Sequence, residues 1–354
     1  MAYHVLVMGG SYFLGRIFCI FASRREDMEL TLVNRGRYAM THYPHLREYR
    51  SDRHDPDGLS RLPEQTYDAA VDLCAYAPGD VSFLLDHLPG SVKRYILIST
   101  ADVYKRQPGL VPDETAPVQD SLGTGPAAEY IWNKVLLERE LTEECSKRGI
   151  EPVILRPAFI YGPYNYAPRE SWYIQRIVQG QDIPVPGDAA SRFQFVFVKD
   201  AAEAILACIE KPEAGGKIYN QAAPEVLDYG SYTETLAAVS DIPFATRPVT
   251  VEEVLRENIP VPFPTDGGGE RAVPGRPDRP GAGPRLYPLP GGDGEDLQGF
   301  QERVSIRPNG NRAAGRRPRL CVSTKPCCPA EASFSNINKE KIVRNLKIER
   351  ERHP

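Results

Sequence analysis

The sequence predicts an α/β fold: a parallel sheet wound on both faces by helices, then a smaller C-terminal region and an irregular tail. Three observations predict it. Short apolar runs alternate with amphipathic ones as far as about residue 258, which is the pattern of strands buried on both faces and of helices that cover them. The first apolar run ends in a glycine turn that opens a helix. From Pro260 to Pro329 the chain holds 13 Pro and 12 Gly in 70 residues, a density of breakers that leaves little room for continuous secondary structure. The expected divisions are residues 1–160 (with strands and helices continuing to about 220), 161–260, and a tail over 261–354.

The elements follow in order. Val5 to Met8 is a short apolar run that stops at Gly9-Gly10, a buried-strand signal. Phe13 to Ser23 carries apolar residues at helical spacing, and Leu30 to Val33 reads as a second strand. A third strand is expected to close at Asp52-Arg53-His54-Asp55. Tyr67 to Leu73 and Tyr95 to Ser99 give two more. Glu129 to Lys147 is a long helix with its charges on one face, and Pro152 to Arg156 is the next strand. Phe195 to Val198 leads into a helix at Asp200, whose carboxylate is placed to cap it.

Composition excludes several classes of function. Lys+Arg 43 against Asp+Glu 47 leaves a formal charge of -4, where a nucleic-acid coat protein needs a basic excess. No apolar run reaches the ~18–20 residues that span a bilayer, and the N-terminus lacks the charge pattern of a secretory signal. The seven cysteines are an odd number, and the first four sit singly. Cys321, Cys327 and Cys328 have no C-x-x-C partner, and the six histidines show no H-x-x-x-H spacing, so no metal is expected. These features describe a cytoplasmic, reduced, soluble protein with no membrane partner and argue against a nucleic-acid partner.

Residues 9–15 read Gly-Gly-Ser-Tyr-Phe-Leu-Gly. A turn here brings free N–H groups and the positive end of a helix together, which favours a pyrophosphate. Gly9 permits the tight turn and Gly15 close helix–strand packing. Gly10, Tyr12, Phe13 and Leu14 complete the candidate cofactor loop. Tyr12 stands where the dinucleotide pattern G-x-x-G-x-x-G has its middle glycine, and a side chain there crowds the phosphate. The second strand ends Val33-Asn34-Arg35-Gly36, without the acid that usually receives the adenosine 2′-hydroxyl. Arg35 and Arg37 tilt the choice between NAD and NADP modestly toward NADP. Asp52 is expected at the adenine end.

Tyr130 and Lys134 stand four residues apart in a predicted helix, so both lie on one face. An ammonium beside a phenol favours the phenolate and lowers its pKa from ~10 toward working pH. A phenol so tuned can pass a proton to or from a carbinol oxygen. Ser99 and Thr100 end a buried strand some thirty residues earlier, where ligands of a parallel sheet bind.

These stretches, in this order and followed by Leu155-Arg156-Pro157-Ala158-Phe159-Ile160-Tyr161-Gly162-Pro163, resemble the extended short-chain dehydrogenase/reductases. More narrowly they resemble the NAD-dependent epimerase/dehydratase family, in a divergent branch that keeps the fold with a bulky residue in the glycine turn. The resemblance runs from about Tyr3 to Tyr219 and more faintly to Pro264. It implies a Rossmann domain that holds NAD or NADP, a substrate-binding region over 161–260, and a sugar or nucleotide-sugar substrate. Carried over by motif, Thr100, Tyr130 and Lys134 are the catalytic residues. Lys134 also binds the nicotinamide ribose, with Ser99 among the cofactor contacts. Asp102, Tyr161 and Arg192 face the substrate. Homodimers are implied as well.

The chain also departs from the family. Dehydratases read Thr-Asp-Glu where this sequence has Thr100-Ala101-Asp102, so the acid that protonates a leaving hydroxyl is missing and epimerisation or reduction is favoured. The arginine that pairs nucleotide phosphates in sugar epimerases falls on Phe193, with Arg192 one residue off, and a one-residue slip reverses the face. The alternative reading is a non-catalytic Rossmann protein that binds a nucleotide or RNA. In the tail, Glu270-Arg271-Ala272-Val273-Pro274 reads as a shifted frame of Glu-Ser-Glu-Leu-Tyr, which places a frame change near residues 265–270, and the coding DNA decides it.

Overall fold

Seven strands form one parallel sheet whose central members have no polar face to leave in water, while the edge strand nearest the N-terminal half carries exposed charges. A computed structural model describes residues 2–265, apart from 41, 106–111, 126, 166, 168, 241 and 264. The tail, with Cys321, Cys327, Cys328 and the proposed frame change, lies outside the described residues. The elements in order are β1 (Tyr3–Met8), α1 (Phe13–Ala22), β2 (Met28–Asn34), β3 (Leu46–Arg50), α2 (Pro56–Leu59), β4 (Gln65–Tyr67), β5 (Ala69–Asp72), α3 (Asp80–His87), β6 (Gly90–Val92) and β7 (Arg94–Ile98). There follow α4 (Ala128–Arg148), β8 (Glu151–Pro157), β9 (Phe159–Tyr161), α5 (Glu170–Gln179), β10 (Ile183–Pro186), β11 (Phe195–Phe197), α6 (Val198–Glu210), β12 (Lys217–Gln221), α7 (Tyr229–Val239), β13 (Thr246–Val249) and α8 (Val251–Arg256).

The sheet order is β12-β8-β7-β5-β1-β2-β3. The chain runs outward from β1 through β2 to β3. It then crosses to the other side of β1 and runs outward again through β5, β7, β8 and β12. The order therefore reverses between β1 and β5, where Met8 is in register with Asp72. Beyond the carboxyl ends of strands at such a reversal, an α/β sheet has its binding crevice. Central strands are buried on both faces, with Val5, Leu6, Val7, Ala69, Ala70, Val71, Ile96 and Leu97 all fully enclosed, and their near-continuous apolar runs follow from that. α4 ends at Gly149, whose φ of +66° suits the left-handed cap that closes a helix.

Three local expectations are corrected. Tyr67 to Leu73 is two strands. Asp68 interrupts it, accepting from the His4 N–H at 2.9 Å and from Lys93 Nζ at 2.8 Å, so β4 pairs with β6 and only β5 joins the large sheet. The third strand ends at Arg50, and Asp55 starts α2 instead of closing β3. The cap of α6 is Phe197. Asp200 lies in the first turn, where its charge still favours the helix dipole.

The described chain divides into two compact units. The first holds residues up to 168, then Asp188–Tyr229 and Phe263. It contains the whole large sheet and the β9/β11 pair. Phe159, Phe193, Phe195, Tyr229 and Phe263 form an aromatic cluster there, with Phe193 stacked on Phe263 at 4.5 Å. The second holds Arg169–Gly187 and Gly230–Pro262. In it β10 pairs with β13 in parallel. Asp182 joins Arg176 to Arg247, and Thr250 and Glu253 make a reciprocal capping box at the start of α8.

Candidate active site

The glycine turn sits at the reversal of the sheet. Gly9 N donates to Val33 O at 2.9 Å and Leu73 N to Met8 O at 3.0 Å, so the turn lies between the ends of β2 and β5. Gly9 has φ +84°, and a Cβ on it would stand 2.7 Å from Cys74 Cβ. A Cβ on Gly15 would stand 2.8 Å from Gly10 Cα. Both contacts are closer than real Cβ atoms allow, so glycine here is a condition for seating α1 on the turn. Tyr12 keeps an extended backbone (φ -136°, ψ 145°) that any residue adopts. Its ring lies parallel to that of Tyr38 at 5.1 Å. The side chain thus projects over the segment that follows β2. Phe13 and Leu14 are buried and offer the crevice only their backbone. Phe13 takes φ +38°, a left-handed conformation unusual for an aromatic residue.

Lys134 and Tyr130 are brought together. Lys134 Nζ is buried and donates to Ala75 O at 2.8 Å and Ile98 O at 2.7 Å. It therefore lies at the carboxyl ends of β5 and β7. The Tyr76 ring is 5.0 Å from Nζ and the Tyr130 ring 5.8 Å. Burial pushes the Lys134 pKa down to about 8, against the pull of Asp72 and Asp80. Tyr130 is 41% exposed, open enough to meet a ligand from solvent. Thr100 follows two residues after the Ile98 carbonyl. Its Oγ accepts from Asp102 N at 3.2 Å, and its own proton has no acceptor among the described residues.

Ser99, expected among the cofactor contacts, instead donates its hydroxyl proton to Glu138 Oε1 at 2.5 Å. Glu138 stands one turn beyond Lys134 on α4 and is also paired with Arg156 of β8 at 2.6 Å, both side chains almost fully buried. The Arg156 guanidinium lies 4.7 Å over the Tyr104 ring, and Tyr104 Oη donates to Asn220 Oδ1 at 2.7 Å. This chain of contacts pins α4 to β7, β8 and β12, and so fixes the direction in which Lys134 points. Sequence reading missed it. The available signal was Glu138, an acid four residues after Lys134 on the face that packs on the sheet.

A second buried network was also missed. Arg53 gives two hydrogen bonds to Asp72, at 3.1 and 3.0 Å, and one to Asp80 O at 2.7 Å. Tyr95 Oη donates to Asp72 at 2.6 Å. Burial works to raise the Asp72 pKa, but the Arg53 charge and these hydrogen bonds override it and hold Asp72 ionised. Burial pushes the neighbouring Cys74 thiol up to about 12, which leaves it protonated. Asp52 stays exposed, its Oδ1 accepting from the His54 N–H at 3.0 Å.

The remaining residues are placed as follows. Asp102 lies in a short turn after Thr100, its carbonyl accepting from Gln119 at 3.2 Å. Tyr161 packs its ring on Phe195 and Phe197. Phe193 is fully buried in the aromatic cluster and Arg192 is exposed, the opposite sides that alternation in an extended segment imposes. Arg16, in the first turn of α1, holds its guanidinium 5.0 Å over the Tyr164 ring, and its buried Nε has no partner among the described residues. Arg35 is exposed beside Gly36. No group of residues able to hold a metal occurs among the described residues, nor any helix long and apolar enough to cross a membrane.

Residues 81–222 match the model of the NAD dependent epimerase/dehydratase family. Over those residues the chain is similar to that family. The matched stretch contains Thr100, Tyr130, Lys134, Glu138 and Arg156, and it starts after the glycine turn. The chain is 27% identical over 256 residues to a chloroplast stem-loop binding protein of 41 kDa from Arabidopsis thaliana, covering 68% of this chain and 64% of that protein. It is 25% identical over 174 residues to the UDP-glucose 4-epimerase of Vibrio cholerae, covering 49% and 51%. The chain thus spans between half and two thirds of these relatives. Among solved structures it is similar to the UDP-glucose 4-epimerase of Thermus thermophilus in complex with NAD, with a TM-score of 0.56 and 19% identity over 75% of this chain and 96% of that one. That likeness establishes the Rossmann-type fold.

Proposed function

We propose that the chain is an NAD(P)-dependent oxidoreductase or epimerase that acts at a hydroxyl-bearing carbon of a nucleotide-linked sugar. The observation that carries this reading is the position of Lys134 Nζ, held by two strand-end carbonyls at the reversal of the sheet, 5.8 Å from the Tyr130 ring. The residues present fit a dinucleotide. The turn of Gly9, Gly10 and Gly15 admits no Cβ at its contacts, the buried Arg16 Nε has no partner among the described residues, and α1 starts within the turn, where free N–H groups favour an anion. Gly9 to Gly15 would take the pyrophosphate through backbone N–H groups of Tyr12, Phe13 and Leu14. Lys134 would hold the nicotinamide ribose, with Asp52 toward the adenine.

A bound nicotinamide supplies the acceptor and donor of a hydride. The chain's own groups handle the proton. Tyr130 Oη removes the proton of the substrate hydroxyl and later returns it. Thr100 donates its unused proton to the same oxygen. Lys134, which keeps its charge below about pH 8, stabilises the phenolate. Asp102, Tyr161 and Arg192 are the proposed substrate contacts, with residues 161–260 forming the substrate region. The UDP-glucose epimerase among the relatives supports a nucleotide sugar as substrate. Ala101, which has no proton to give, supports epimerisation or reduction over dehydration. A cytoplasmic homodimer completes the proposal.

The test is Tyr130→Phe, assayed with UDP-glucose and dTDP-glucose in the presence of each dinucleotide. Turnover is expected to fall about 10²- to 10⁴-fold with dinucleotide affinity unchanged. Under the rival reading, a Rossmann protein that binds a nucleotide or RNA without turnover, the substitution changes nothing, and wild-type protein converts neither sugar.

A further inference from the structure

Resting on the dinucleotide reading above, we propose that the carboxyl ends of β2 and β3 form a receptor for the adenosine 2′-phosphate, so that the chain takes NADP in preference to NAD. Four features of this end of the crevice support it.

The first is the residue at the tip of β2. An NAD site offers a carboxylate there to the ribose 2′-hydroxyl, and that carboxylate repels a 2′-phosphate. Here the residue is Asn34, and its amide is already used. Oδ1 accepts from Gly36 N at 2.5 Å and Nδ2 donates to Glu48 Oε1 at 2.8 Å. The second feature is the disposition of the nearby acids. Glu48 is turned toward Asn34, with its other oxygen 3.5 Å from Met40 N, and Asp52 accepts from the His54 backbone.

The third feature is three arginines without a counter-charge. The chain turns at Gly36, with φ +75°, directly over Arg50, whose Cδ and Nε would lie 2.8 and 3.1 Å from a Cβ at that position. Asn34 and Arg50 are in register across the β2/β3 pair. Arg35 and Arg37 flank Gly36. All three arginines are exposed, and none makes an ion pair or side-chain hydrogen bond among the described residues. A phosphomonoester carries about -1.5 to -2 charges, and the planar guanidinium fork matches its oxygens. The fourth feature explains Tyr12. Its ring stacks on Tyr38, and the Arg37 guanidinium lies 5.7 Å from the Tyr38 centroid. The residue that breaks the glycine pattern therefore ties the arginine-bearing segment to the turn that receives the pyrophosphate.

The experiment is calorimetric titration of the full chain with NADP and NAD, and with 2′,5′-ADP and 5′-AMP, which probe the adenosine end alone. The expected result is tighter binding of NADP than of NAD by about tenfold or more, with the same order for 2′,5′-ADP over 5′-AMP. Arg35→Ala, Arg37→Ala and Arg50→Ala, all at exposed positions, should each weaken NADP and 2′,5′-ADP and leave NAD unchanged. NAD binding as tightly as NADP, or arginine variants that weaken both dinucleotides equally, overturns this proposal and leaves the dinucleotide reading standing. Binding of neither dinucleotide overturns both.

Discussion

The two ends of the crevice are built on different principles. At the β5/β7 end Lys134 is enclosed, its proton donors fixed by two carbonyls, and the Glu138–Arg156 pair behind it locks α4 to the sheet. At the β2/β3 end Arg35, Arg37 and Arg50 are exposed and make no ion pair among the described residues, and one aromatic stack tethers the segment. The family match covers Lys134, Glu138 and Arg156 of the first end and none of the second. A proton relay works only at fixed distance, and the helix that would carry the proposed one is clamped by buried charges. Recognition of a ribose substituent needs only charge of the right sign within reach, which a surface segment supplies with more freedom.

Breaking the clamp should have the largest effect on the molecule. Glu138→Ala leaves Arg156 charged and buried without its partner. Such a loss costs about 3–5 kcal/mol and is read from denaturant unfolding. If Glu138→Ala unfolds at the wild-type midpoint, the clamp is not what holds α4. At the glycine turn, Gly9→Ala combines a left-handed φ with a 2.7 Å contact to Cys74 Cβ. It should destabilise by about 1–3 kcal/mol and weaken dinucleotide binding. Unchanged binding by a folded variant would separate the turn from the cofactor.

The pH dependence sharpens the contrast, because activity and stability should move in opposite directions. Burial depresses the Lys134 pKa from its ordinary 10.5 to about 8. Turnover should fall as pH rises through about 8 and Nζ loses its charge. Between about 8 and 10.5 the folded chain binds fewer protons at Lys134 than the unfolded chain does. The Lys134 contribution to stability therefore rises with pH across that window. Lys134→Met should abolish that contribution, which thermal melts of both proteins across the window would show. The smallest effect is expected at the other end. Tyr12→Gly removes the stack on Tyr38 and restores the glycine pattern, changing stability by less than about 1.5 kcal/mol. If it instead abolishes dinucleotide binding, the tether matters more than the charges it holds.

The centre of the sheet was legible because β1, β2, β5, β7 and β8 contain short apolar runs that can only be buried, whereas β3 and β12 carry charged residues. α4 was legible from its length, although two of its charges, Lys134 and Glu138, face the sheet. Spacing put Lys134 and Tyr130 on one face of a helix, and the strand end at Ser99-Thr100 was needed to single them out from a chance pair. Asp68 split an apparently continuous strand through hydrogen bonds to His4 and Lys93, contacts that sequence spacing cannot display. Arg53 and Asp72 pair across nineteen residues, and Glu138 meets Arg156 on another element. A buried ion pair leaves no periodic mark, since either partner reads as an ordinary surface charge. Ser99 was misplaced for the same reason: its acceptor, Glu138, lies thirty-nine residues away. Tyr12 read as an obstruction because the direction of its ring depends on Tyr38, a neighbour in space only.

The central claim is that the crevice between β1 and β5, bordered by Lys134, holds a pyridine dinucleotide. Native mass spectrometry of the purified protein, before and after incubation with NADP and NAD, reads it directly. The account predicts an added mass of one dinucleotide per chain, lost or diminished in Lys134→Met. A spectrum showing only the bare chain after both incubations would contradict it.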